Sequence, residues 1–114
     1  MAVFEVQSLG EEPSAAAAQF YSQYLPLIGI QLAVIGEPLT ILFPPADYTH
    51  AAWRLAAVQA LAREAAPQRV NAAAGGGGAA RLAAVKYLEA AEGVTGQVLQ
   101  LDDAGAGTVV EGAQ

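Results

Sequence analysis

Prolines and glycines divide this chain into short apolar runs of two kinds. β-Type runs predict strands at Val3–Val6, Leu39–Phe43, Gln68–Ala72 and Val94–Leu101. Leu39–Phe43, stopped by Pro44 and Pro45, has the continuous apolar character of a buried parallel strand. Between the strands lie alanine- and leucine-rich stretches with helical spacing. Ser14 has the hydroxyl to cap the first, Ala15–Tyr24, whose pattern runs past Pro26 toward Ile35 with a kink or break. Asp47 or Thr49 caps the second, which runs to about Ala66 and is closed by Pro67. The third, Ala79–Ala91, follows a flexible Gly75–Gly78 connector, turns Leu82, Val85 and Leu88 inward and ends at Gly93. Strands alternating with helices predict an α/β fold, a parallel sheet with helices on both faces.

The second helix carries two stripes. Leu55, Val58, Leu61 and Ala65 form one; Ala52, Ala56, Ala60 and Arg63 form a smaller, smoother one. Such a helix packs on two surfaces at once, its own sheet and a partner. Composition strengthens that expectation. Hydrophobic residues make up 54% of the 114 positions and charged residues only 14%, so part of the surface is expected to be covered by another chain. The length fits one domain: an N-terminal strand and turn over 1–13, a core over 14–103 and a Gly-rich tail over 104–114, with weak strand character at Thr108–Val110.

A net charge of −6, with five basic residues that do not cluster, argues against a nucleic-acid surface. The absence of cysteine removes disulfides, thiolate chemistry and Cys-based zinc sites, and fits a cytoplasmic protein. The first residues lack the basic and apolar regions of a signal peptide. Leu25–Ile35, the longest apolar run, falls short of the ~20 residues a membrane span needs.

Candidate chemistry is sparse. Gly75–Gly78 lacks the GxGxxG spacing of a dinucleotide loop and reads as a linker. His50, the only histidine, has just Asp47 nearby and is expected as a first-turn or surface residue rather than a metal ligand. Asp102 and Asp103 are expected in a solvated turn, since adjacent strand residues point in opposite directions. Tyr21, Tyr24 and Tyr48 near Trp53 are expected to pack together or form an oligomer contact.

Two segments carry a more specific signal. LAREAAP (Leu61–Pro67) with RVNAAAGG (Arg69–Gly76), and VTGQVLQLDDA from Val94, resemble the second half of the short-chain dehydrogenase/reductase family. The similarity runs from about Pro13 to Asp102. It implies a truncated Rossmann-like parallel sheet with helices on both faces, beginning near the family's fourth strand and lacking the nucleotide-binding half. That family works with a Ser, a Tyr and a Lys in a YxxxK motif, where the lysine lowers the tyrosine pKa and holds the ribose. Counting back from Pro67, the tyrosine position falls near Asp47 or Tyr48 and the lysine near Ala51 or Ala52. Tyr48 is thus the candidate catalytic equivalent, without its lysine. Pro44-Pro45 stands where the serine is expected, and the preceding helix has no asparagine. The family's substrate-covering segment is reduced here to the glycine run.

In that family the two helices flanking the fifth strand pack across a dimer axis. The resemblance therefore implies a non-catalytic subunit, with no cofactor or metal of its own, that pairs with a full-length, NAD(P)-dependent relative. Tyr24, Leu27, Trp53, Leu55, Val58 and Leu61 are the expected interface residues. The alternatives are a minimal reductase using Tyr48 beside Arg54, or a homo-oligomeric scaffold.

Overall fold

A computed structural model describes residues 2–102. Four strands, β1 (Ala2–Glu5), β2 (Leu39–Phe43), β3 (Val70–Gly75) and β4 (Val98–Leu101), form a parallel sheet in the order β1-β2-β3-β4. The connections are helical: α1 (Pro13–Gln19) and α2 (Leu25–Ile35), then α3 (Ala51–Ala65), then α4 (Gly78–Ala90). Weak strand character at Thr108–Val110 and the turn residue Asp103 lie outside the described residues.

Side-chain alternation along the strands separates two faces. Leu39, Ile41 and Phe43 of β2 and Val70, Ala72 and Ala74 of β3 point to one, where they pack with Phe20, Ile28 and Leu32, and with Ala57, Val58 and Leu61 of α3. Leu42 and Ala73 point to the other, against Ala84 and Val85 of α4. Strands added in one direction keep their crossover helices on one face if every crossover has the same hand. The α4 crossover changes face, so it has the opposite hand to the first two.

The first connection explains how a proline sits within a long apolar helix. Between α1 and α2 the backbone widens into a π-helical turn, Phe20–Tyr24, in which the Leu25 amide reaches back to the Phe20 carbonyl. Pro26 follows directly, where it has no amide hydrogen to give and its ring would crowd a regular turn. Helix continuation past Pro26 is thus achieved by a local widening. Gly36, at φ 64°, closes α2 in the left-handed conformation that favours glycine.

Several boundaries differ from those read from sequence. The first helix starts at Pro13 with Glu12 before it, and Ser14 lies inside the first turn without capping it. Proline's fixed φ suits that first position. β3 starts later and runs further than Gln68–Ala72, and β4 is confined to Val98–Leu101 because Val94–Gln97 is irregular, with a bend at Gly96. The glycine run is no loose connector: Gly75 ends β3 and Gly78 begins α4. In α4, Val85 and Leu88 face inward as expected, joined by Ala80 and Ala84, while Leu82 is exposed.

Candidate functional site

Parallel strands all end at one edge of the sheet, where open α/β folds place their ligands. Beyond β1 and β2, segments 7–11 and 44–47 wall a cleft of about 450 Å³, whose lining is completed by His50 and Arg54 at the start of α3. The first wall is tied down from α1 and the π turn. Gln19 Oε1 accepts from the Gly10 amide at 2.9 Å, and the Tyr24 hydroxyl donates to the Ser8 carbonyl at 3.1 Å. The second wall ends in a 3₁₀ turn, Tyr48–His50, capped by Asp47, whose carboxylate accepts from the Thr49 amide and hydroxyl. The Thr49 hydroxyl, followed by its amide, holds the Asp47 carboxyl below its ordinary 3.8.

His50 is buried rather than on the surface. The Trp53 indole N–H, which only donates, lies 3.1 Å from Nδ1, so Nδ1 accepts. Nε2 therefore carries the hydrogen and donates to the Glu11 carbonyl at 3.0 Å. Both ring nitrogens hold the cleft wall to α3, and neither is available to a metal. Among the described residues, no group of three His, Cys, Asp or Glu side chains is placed to hold one.

Arg54 is the unusual member of the site. It is only 3% exposed, with its guanidinium carbon 4.7 Å from the centre of the Phe43 ring and 5.8 Å from that of Trp53. These rings belong to a cluster with Phe20, in which Phe20 lies 5.5 Å from both. Nε of Arg54 is buried without a hydrogen-bond partner. Burial pulls its pKa down from the ordinary arginine range, the direction expected for a cation removed from water. Sequence reasoning placed Arg54 only as a charge beside Tyr48 and missed its burial, although a signal was present. Arg54, Val58, Leu61 and Ala65 share one helical face, and a charge on an apolar face is informative.

Tyr48 is 87% exposed. It shares a second, smaller cleft of about 250 Å³ with Asp47, His50, Ala51, Arg54 and Gln100. The expected interface residues separate. Leu27 and Leu55 are exposed, whereas Val58 and Leu61 are buried in the chain's own core. Tyr24 and Trp53 are half-buried, packed on that core and hydrogen-bonded to Ser8 and His50. The cause is again the position of the buried stripe on α3, which runs through Val58 and Leu61 but leaves Leu55, Ala52 and Ala56 outside. Tyr21 packs edge-on against Phe20, but Tyr48 stands apart from the aromatic cluster.

The segments carrying the sequence resemblance run along β3 and β4, and most of their bonds gather at the opposite edge, around the starts of those strands. Asn71 is buried; its amide nitrogen donates to the Val94 carbonyl at 2.9 Å and its oxygen accepts from the Gln97 amide at 3.0 Å. Thr95 Oγ1 accepts from the Val70 amide, and the Gly96 amide donates to the Val70 carbonyl. Arg69 reaches the carbonyls of Leu88, Glu89 and Ala91 at 2.7–2.8 Å and so closes the C-terminus of α4. Gly76, at φ 76°, passes so close to β4 that a Cβ there would lie 2.8 Å from that of Leu101. The Arg-Val-Asn and Val-Thr-Gly-Gln segments therefore resemble the family because they brace each other.

This fold agrees with comparison to known proteins. No curated protein and no solved structure matches the chain. The SDR-like family model, described as short chain dehydrogenase-like protein, matches residues 4–101, nearly all that the structure describes. With its parallel sheet, two-faced helices and mutually braced motifs, the chain belongs to the short-chain dehydrogenase-like family.

Proposed function

We propose that this chain is a non-catalytic short-chain dehydrogenase-like subunit that pairs through α2 and α3 with a full-length, NAD(P)-dependent relative and stabilises or regulates it. The observation that carries this reading is the solvent face of α2. Pro26, Leu27, Gly29, Ile30, Ala33 and Val34 are all exposed, and no charged residue interrupts them. Leu27, Ile30 and Val34 are 53%, 65% and 76% exposed. Helices that are apolar all round belong inside a larger assembly. Burying three such side chains contributes about 1.5–3 kcal/mol each. The smooth outer stripe of α3, Ala52, Leu55 and Ala56, is exposed as well. These are the helices by which the family forms dimers.

The residues at the family's reactive positions support a non-catalytic role. Asp47 and Ala51 have the spacing of the tyrosine and lysine, and Asp47 is engaged as a cap. Shifting the match by one residue restores a tyrosine at Tyr48 but puts Ala52 where the lysine would hold the ribose. Neither register supplies the amine, so the donor set does not fit a nicotinamide dinucleotide.

Co-expression with a full-length family member, followed by size-exclusion chromatography with light scattering, tests the pairing. The expected result is a stoichiometric complex that Ile30→Glu with Val34→Glu dissociates. A stable, monodisperse monomer of the chain alone would sink the proposal, and a purely self-associated species would favour a homo-oligomeric scaffold. Dinucleotide binding by the isolated chain in titration calorimetry would favour the minimal reductase.

A further inference from the structure

The geometry points to Arg54 as the anchor of a binding site for a small monocarboxylate in the cleft between the ends of β1 and β2. Arg54 lines this cleft while being only 3% exposed, and its Nε lacks any acceptor. Among the described residues the guanidinium has ring faces beside it but no carboxylate or carbonyl bonded to it. The other two arginines that reach into the fold are supplied differently. Arg69 donates to three carbonyls, and Arg81 donates to Glu5 and to the carbonyls of Phe43 and Gly75. A planar cation held over the Phe43 ring without an in-plane acceptor is suited to a planar anion that accepts two parallel hydrogen bonds.

The rest of the lining narrows the class. Leu9, Pro44, Pro45 and Ala46 offer an apolar wall for a short hydrocarbon body. Glu11 and Asp47 also line the cleft, so a doubly charged phosphate meets more repulsion than a singly charged carboxylate. A volume of about 450 Å³ lies in the range of small-molecule sites. His50 is already committed through both nitrogens, which leaves Arg54 as the cationic donor of a lining that also holds the side chains of Gln7 and Ser8.

Trp53, the only tryptophan, lies beside Arg54 and reports on the site directly. Its fluorescence is to be followed while butyrate is titrated at constant ionic strength, with inorganic phosphate and chloride as comparisons. Saturable change with butyrate is expected, weakened at least tenfold by Arg54→Met. Ala46→Phe narrows the cleft without touching the guanidinium and is expected to weaken binding similarly, which keeps the test open if Arg54→Met fails to fold. Absence of saturation, undiminished binding by a folded Arg54→Met or Ala46→Phe chain, or phosphate binding as tight as butyrate overturns the assignment. None of these outcomes depends on the proposed dehydrogenase partner.

Discussion

The two edges of the sheet differ in how completely their buried polar side chains are supplied. At the starts of β3 and β4, Arg69, Asn71 and Thr95 are bonded to named backbone groups. At the ends of β1 and β2, Arg54 is buried with Nε unbonded, while Asp47 serves only to cap a turn. The first edge holds the residues that resemble the family, and the second holds the positions where the family keeps its chemistry. A sequence resemblance concentrated at the bracing edge therefore speaks for the fold and says little about a reaction. The same separation allows the two edges to be perturbed one at a time.

The largest effect is expected from Asn71→Ala. It strands the Val94 carbonyl and the Gln97 amide, and buried polar groups without partners cost about 1–3 kcal/mol each. Urea denaturation should show a loss of about 2–4 kcal/mol. A loss below about 0.5 kcal/mol would break the comparison, because the bracing edge would then carry no more stability than an ordinary surface site. Arg54→Met is expected to shift stability less and in the other direction. It removes a buried, unbonded charge while retaining a side chain that fills the space, a replacement often neutral or stabilising by about 1 kcal/mol or more. Marked destabilisation in the same urea assay would show that the cleft edge is structural too.

The smallest effect belongs to Asp47. Its carboxyl titrates below its ordinary value, so the ionised cap contributes stability above the unfolded pKa of about 3.8, and that contribution disappears as pH falls through the folded value. Asp47→Ala should therefore be less stable than the parent near neutrality, with the gap closing below about pH 3.8. A gap that persists into acid would mean that Asp47 acts through something other than its ionised oxygen.

Much of the fold was legible from periodicity. The four strands, the helix closed near Pro67 and the alternation that demands a parallel sheet all follow from local pattern. The change of face at α4 was not readable, because the choice between two sides of a sheet depends on which residues of β2 and β3 remain to be covered. The widened turn before Pro26 was readable only as a kink or break, since proline signals disturbance without specifying its geometry. Site legibility was poorer. Asp47 as a cap and Tyr48 as a surface tyrosine need only local rules, but the burial of His50 depends on the Glu11 carbonyl, 39 residues away. Arg54 rather than Leu55 completes the buried face that Val58 and Leu61 share, because both positions border the same stripe and local pattern favours the apolar one. Apolar surface is left exposed at Ile30 and Val34 on α2.

The inward use of arginine alters how the molecule meets its surroundings. Of five basic residues, Arg54, Arg69 and Arg81 are taken up within the fold, which leaves Arg63 and Lys86 exposed on a chain with eleven acidic residues. The exterior is more uniformly negative than the net charge of −6 suggests. Two copies approaching in dilute buffer repel each other before their apolar helices touch. A basic face would be drawn in, and that attraction fades as salt shortens the reach of the field to about 8–10 Å.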